Sequence, residues 1–429
     1  VESGWKAARR PYHKQKLALI LASQRHFALE QAARGVAVRY RATRLPYAAA
    51  LREEIHELGP LAVMEPAERE LRANLTPLVK AGLLDVGPHE GGITAPEDFD
   101  ASQSPNPPWR MDAFYRHVRR KTGLLMDDGR PEGGKYSYDV ENRRPWRGEP
   151  EAPEPLEFPV DPIKEEVAGF VESHFSSHPG SLTETALPAT KSDAEALWAW
   201  ALRECLPWFG PYEDAMSVRA RDMFHTRISF LLHVHRLLPC RVVTDAAAAN
   251  APLASREGFV RQVLGWREFM RHVHVRTDGF RDMRGVDAPD GVANEAPPAS
   301  PSALEAAEPL PPAFWGTPSG LHCLDSVVRS VLETGYSHHI TRLMVLSNLA
   351  TLLGVSPREL TDWFWVMYTD AFDWVVEPNV LGMGTFGAGD LMTTKPYVSG
   401  AAYVNRMSDY CSECAFDPRV DCPITSLYW

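Results

Sequence analysis

Cys411, Cys414 and Cys422 form a C-x2-C-x7-C spacing within the last nineteen residues, and Pro423 follows the third thiol. Thiols at that spacing are a metal-site signature, because deprotonated sulfur binds soft cations and two cysteines three apart can reach one centre. A four-ligand centre needs one more thiolate, and Cys205, Cys240 and Cys323 are the candidates. Zinc and a 4Fe-4S cluster both accept four thiolates, and the spacing alone does not separate them. A second concentration of reactive types lies just upstream. Trp315, Trp363, Trp365, Trp374, Tyr336, Tyr368, Tyr397 and Tyr403 surround His338-His339, Asp370, Asp373 and Glu377. Read as residues only, such an aromatic stripe fits a packed helical core at least as well as a cofactor pocket. A third lies in residues 256 to 284, where Arg256, Arg261, Arg267, Arg271, Arg276, Arg281 and Arg284 with His272 and His274 face only four carboxylates. Charge there suits either a phosphate-contacting surface or a solvated helix face.

The elements that must position these groups belong to a chain of 429 residues, long enough for two or three domains. Hydrophobic residues make up 44% and charged residues 24%, which excludes a mainly disordered chain. The net charge of −11 excludes a globally basic polyanion binder, although a local basic surface remains compatible with DNA. Six cysteines are too few for a secreted disulfide framework, and no apolar run or signal segment points to a membrane or to export, so a cytoplasmic protein is expected. There is no Walker loop, G-x-S-x-G or H-E-x-x-H. Gly382-Met-Gly384-Thr-Phe-Gly387 matches G-x-G-x-x-G only formally, follows no apolar strand, and reads as a flexible loop.

Alternating patterns over the first ~90 residues predict helix 17–34 stopped by Gly35, strand 36–40, strand 60–64, helix 66–81 and strand 83–86. This is an α/β unit that opens on a helix, and its first strand is expected to be missing. Residues 145–159, rich in Pro and Glu, read as a linker; 163–284 and 320–375 read as helical; 286–312 read as a low-complexity insertion.

Several segments together resemble one family. Thr334-Gly-Tyr-Ser-His-His-Ile-Thr-Arg342 resembles the T-G-W-x-H-H-x-x-R segment of (6-4) photolyases, and Gln262-Val-Leu-Gly-Trp-Arg-Glu-Phe269 resembles the W-R-E-F segment of the photolyase and cryptochrome superfamily. Cys323 with the terminal cysteines singles out the iron-sulfur bacterial cryptochromes and photolyases. Residues 110–126 and 133–143, Tyr212 to Met216 and His225-Thr-Arg-Ile-Ser229 extend the likeness over nearly the whole chain. The resemblance implies an α/β Rossmann-like N-terminal domain over 1–100, an interdomain region over 101–160 and an all-α FAD-binding domain over 161–429. It also implies light-driven repair of (6-4) photoproducts in UV-damaged DNA by a monomer carrying FAD, a 4Fe-4S cluster and a 6,7-dimethyl-8-ribityllumazine antenna. A cryptochrome-like photoreceptor without repair activity is the alternative.

Carried over by position, Thr226, Arg227 and Ser229 would line the flavin phosphates, with Arg267 adding charge, while Arg342, Asp370 and Asp373 would contact the isoalloxazine and ribityl groups. Glu377 stands where many relatives place an Asn beside the flavin. Trp266 would stack on a flipped base, Tyr397 and Tyr403 would wall the lesion pocket, and Trp315 and Trp363 would relay electrons. Phe364 replaces a redox-active Tyr found next to that Trp in some relatives, and Leu343 replaces the second active-site His of the animal enzymes. His339 rather than His338 is the expected proton donor, and Cys323, Cys411, Cys414 and Cys422 are the implied cluster ligands.

Overall fold

The computed structural model describes residues 1–283 and 298–429; Arg284 and residues 286–297 of the expected insertion lie outside the described residues. Helix Lys14–Ala33 carries no Gly or Pro, and at its start the His13 ring accepts the Gln15 amide N–H at 3.1 Å. Gly35, at φ +86°, turns the chain out of it, a left-handed conformation that glycine adopts at little cost. This helix packs on helix Pro162–His174 and continues into the helical mass: Lys16 is buried and donates to the backbone carbonyls of Trp365, at 2.6 Å, and Ala371. Burial pushes the Lys16 ammonium down to about 7. One apolar core consequently runs from Ala7 through Phe114, Trp198 and Phe269 to Ile424.

The strands are few and short. Leu61–Met64 pairs in parallel with Leu84–Gly87 over a small core of Ile55, Leu75, Leu78 and Leu84, and Glu2–Ser3 pairs in parallel with Ala42–Thr43. Among the described residues the expected Rossmann-like sheet therefore exists only as separate two-stranded parallel pieces, and the fold is mostly helical. The strand expected at 36–40 does not form. Val36, Val38 and Tyr40 stay exposed, with no neighbouring sheet to cover them, and pairing begins two residues later. Helix Tyr47–Leu58 gave no strong sequence signal, since Pro46 at its start carries no side-chain acceptor for the free amides.

Two further expectations change. The formal glycine motif is a loop only in its second half: Gly382–Gly384 belong to Glu377–Gly384, a π-helical turn continuing helix Asp373–Val376, and residues 385–387 follow outside any helix. Its glycines allow close packing, because a Cβ on Gly382 would lie 2.8 Å from Met392 Sδ and one on Gly384 would lie 3.0 Å from Ser347 Oγ. The arginine-rich segment is also largely inward-facing. Arg261 bonds Glu213 at 3.4 Å, and Arg267 and Arg271 bond Glu268 at 2.6 and 3.2 Å, so these guanidinium groups neutralise buried carboxylates. Charge count in the sequence does not reveal this, because Glu213 and the Thr94 groups that also bind Glu268 come from distant segments.

Burial would raise Glu268, but Arg271 and Arg267 with the Ile93 amide hold it at about 2. A carboxyl depressed below its ordinary value near 4.5 stabilises the fold above that value and loses the contribution as pH falls towards 2. Thermal melts between pH 5 and pH 2 should show this loss, and Glu268→Gln should be less stable than wild type at pH 7 with a flatter acid limb. Parallel acid limbs in the two proteins would contradict it.

Candidate functional site

Among the described residues four π-helical turns interrupt the helices, at Ala201–Cys205, Arg261–Arg267, Arg342–Ser347 and Glu377–Gly384. Such turns concentrate at functional positions because the extra residue re-aims side chains. The third aims Arg342. Its guanidinium grips Asp370 with two bonds of 3.0 Å, while Ser229 Oγ donates to the same carboxylate at 2.6 Å. Burial would raise Asp370; Arg342 and Ser229 hold it below the usual carboxylate range. Arg342 also lies 4.1 Å over the Tyr368 ring, and Arg227, itself at φ +57°, lies 5.1 Å from the Tyr336 ring and pairs with Asp222 at 3.0 Å. Arg227, Ser229, Tyr336 and Thr369 line a cleft, and Gln15 and Phe158 close it from the N-terminal helix and the linker. Thr226 is buried directly before them.

Next to this group stand three imidazoles. His338 caps helix His339–Thr341 with an extended backbone, φ −75° and ψ 164°, which sends the two adjacent rings apart to 6.5 Å and 72°. His338 is buried, and neither ring nitrogen has a protein partner; His339 is only half-buried. The third ring, His225, stacks on His338 at 4.3 Å and meets His339 edge-on at 5.2 Å. Sequence reasoning placed His225 in a family segment without giving it a role; its position one residue before Thr226 was the available signal. Tyr403 OH lies 3.4 Å from Asp214 Oδ2, and burial, Glu213 and Asp139 push Asp214 up to about 7. Tyr397 is at the surface and Trp266 is half-buried against Phe269.

The structure therefore gathers Thr226, Arg227, Ser229, Arg342 and Asp370, with His338 and His339 beside Arg342. It engages the other predicted charges elsewhere. Arg267 binds Glu268 and lies 5.2 Å from the Trp374 ring. Asp373 accepts the Glu70 amide at 2.9 Å, and Glu377 accepts from His274 and Arg358 at 2.8 Å each. Burial would raise Glu377, yet His274 and Arg358 hold it low, so it is a neutralised carboxylate of the helical core.

The two tryptophans differ in exposure as a surface-to-core route requires. Trp315 is 48% exposed and Trp363 is 1% exposed. They are bridged by Phe314, whose carbonyl accepts the Trp363 indole N–H at 2.9 Å and whose ring meets Trp363 edge-on at 5.4 Å. Phe364 touches Trp363 at 5.2 Å and stacks on Tyr368 at 4.9 Å, which carries contact onward to Arg342.

Cys323, Cys411, Cys414 and Cys422 line one small, mainly apolar cavity with Tyr410 and Phe416. Cys205 and Cys240 are not part of it: Cys205 Sγ approaches the His225 carbonyl, and Cys240 is exposed. Burial and the neighbouring thiols push Cys323 up to about 12 and Cys411 up to about 11. Four soft sulfur donors around one cavity fit a thiolate-bound metal centre chemically. Among the described residues no three His, Cys, Asp or Glu side chains are drawn together closely enough to hold one ion. No helix among them is long and apolar enough to cross a membrane.

This architecture has known counterparts. The family described as deoxyribodipyrimidine photo-lyase-related protein matches residues 1–187. A (6-4) photolyase of Agrobacterium fabrum is 33% identical over 438 residues, spanning 97% of this chain and 83% of that protein. Among solved structures, a bacterial class III photolyase from Agrobacterium tumefaciens superposes with a TM-score of 0.59 at 16% identity, over 95% of this chain and 79% of its own. A Synechocystis cryptochrome superposes with a TM-score of 0.56, also at 16% identity, over 87% and 72%. At that identity the structural likeness establishes the photolyase/cryptochrome fold. Since a third of its residues match one (6-4) photolyase along almost its entire length, the chain belongs to the bacterial photolyase-related family.

Proposed function

We propose that the protein repairs (6-4) pyrimidine-pyrimidone photoproducts in DNA under blue light. The observation that carries this reading is the half-buried His339, which meets His225 edge-on and stands under the influence of Arg342, the residue that grips Asp370. When bound, FAD supplies a light-activated electron. Arg227 and Ser229, with Thr226, offer the guanidinium and hydroxyl donors that hold a diphosphate without a glycine loop. Arg342, fixed by Asp370, presents a charged planar group beside Tyr336 and Tyr368 and orders the floor of the pocket. Trp266 offers a flat face to an extruded base, and Tyr397 and Tyr403 bound the space around it. His339 donates a proton to the group that migrates between the two pyrimidines and recovers it afterwards, a task suited to an imidazole, which burial here makes a readier donor by lowering its pKa from the ordinary value.

We read Cys323, Cys411, Cys414 and Cys422, which line one cavity, as the ligands of a 4Fe-4S cluster, on the resemblance of this cysteine set to that of the iron-sulfur bacterial photolyases. The absorption spectrum of purified protein tests both groups at once. Flavin bands in the blue on a broad iron-sulfur shoulder are expected; a colourless protein would contradict the reading. Trp315→Phe with Trp363→Phe keeps ring packing but removes the easily oxidised indoles. Flash photolysis of the double variant should show photoreduction slowed by at least about tenfold with flavin still bound. An unchanged rate would remove these two residues from the route.

A further inference from the structure

We infer that His225 is a positioning residue: its ring, stacked flat on His338, keeps His338 neutral and in place and so leaves proton transfer to His339. This rests on the repair reading of the site. The stack is close and parallel, 4.3 Å between centroids and 9° between planes, and both rings are buried. It joins two segments distant in sequence, the turn after helix Leu206–Tyr212 and the cap of helix His339–Thr341. His225 Nε2 and both nitrogens of His338 lack protein hydrogen-bond partners, so no bond favours a charge on His338, and the Glu213 backbone alone favours one on His225.

The surrounding charges divide the three imidazoles in the same way. Facing His225 are His338, His339 and Arg342, with the Glu213 backbone on its other side, and facing His338 are His339 and Arg342. Every charge that these groups can carry is positive. Burial and these neighbours lower both rings well below an ordinary imidazole. Burial lowers His339 as well, and Arg342 and Arg261 add to this, but Glu213 at the end of helix Leu206–Tyr212 and Asp139 from the interdomain region oppose them. It is the one ring of the three that is half-open and under the influence of carboxylates, and it is where a proton is cheapest to hold. The flat contact supplies the rest: without it, His338 is free to turn towards the pocket and compete for that proton.

His225→Ala removes the stack, and His225→Phe restores a flat ring that has no nitrogen. Both variants, loaded with FAD, are compared with wild type in single-turnover repair of a (6-4) oligonucleotide from pH 6 to pH 9, and in the dark by NMR titration of 13C-labelled histidines. His225→Ala should lower the repair yield by about tenfold to a hundredfold, the usual scale for a misplaced catalytic group. It should also bring the His338 signal into titration between pH 5 and pH 8 and displace that of His339. His225→Phe should stay within about twofold of wild type, with an unchanged His339 titration. Wild-type repair and titration in His225→Ala would overturn the inference, and so would a His225→Phe as defective as His225→Ala, because the nitrogen and not the stack would then matter. If His225→Ala fails to fold, the Phe variant decides alone. If the wild type repairs no (6-4) lesion, the repair reading fails, and the dark titration still decides what His225 does to its neighbours.

Discussion

His339→Ala is expected to lose repair of (6-4) lesions by about a hundredfold or more, the scale of a missing general acid, while keeping flavin colour and lesion affinity. The separation follows from the geometry. The side chains that would hold the cofactor, those of Thr226, Arg227, Ser229 and the Arg342–Asp370 pair, draw no bond from the His339 ring, whose residue gives Arg342 only a backbone carbonyl that His339→Ala keeps. Removing a half-buried ring at the pocket edge therefore leaves them in place. His338→Ala tests the neighbour: its ring is wholly buried against His225, so its loss should cost stability through a cavity, with a smaller effect on repair per folded molecule. Single-turnover repair assays with flavin content measured on the same samples distinguish the two. Normal repair by His339→Ala together with loss in His338→Ala would reverse the assignment, and normal repair by both would place the proton source elsewhere.

The second large effect is expected at the cysteines. Cys411→Ser should lose iron and give little soluble protein, while Cys240→Ser, on an exposed position outside the ring, should change neither. The ring joins helix His322–Thr334, through Cys323, to the chain from Tyr410 to Ile424, where His322 bonds the Tyr410 carbonyl at 2.9 Å, Ser217, Val218 and Arg219 bond Asp409, and Ile424 is the buried residue of the terminal helix. A structural metal centre contributes on the order of 10 kcal/mol, comparable to the whole stability of a domain. Iron and sulfide analysis with a thermal melt checks this. Full stability and no metal in the wild type would contradict it.

The sequence made some of this legible and hid the rest for physical reasons. The thiol set was readable because cysteine is rare and its ligand spacing is local. Helix Lys14–Ala33 was readable from uninterrupted helix formers, and the segments around Arg342 and Trp266 carried a family pattern specific enough to place the pocket. The strands expected at 60–64 and 83–86 were readable too and form as Leu61–Met64 and Leu84–Gly87, but Glu2–Ser3 and Ala42–Thr43 were not, since strands of two residues leave no periodicity to find. Nor were the π-helical turns, whose apolar spacing differs from an α-helix by a single residue. The arginines of 256–284 misled because their partners, Glu213 and the Glu268 environment built by Thr94, are set by tertiary packing. Glu377 misled for the same reason: His274 and Arg358 engage it from two other helices. His225 escaped notice because a lone histidine announces nothing until its stacking partner is seen.

The most direct measurement of the central claim is the light-dependent conversion of a (6-4) photoproduct in an oligonucleotide. Purified FAD-loaded protein is chemically reduced, mixed with the lesion duplex, illuminated with blue light or kept dark, and the products are separated by chromatography. The account predicts that the lesion reverts to two intact pyrimidines in the light and stays unchanged in the dark. A protein that holds reduced FAD and binds the duplex, yet returns the lesion unrepaired after illumination, would contradict it.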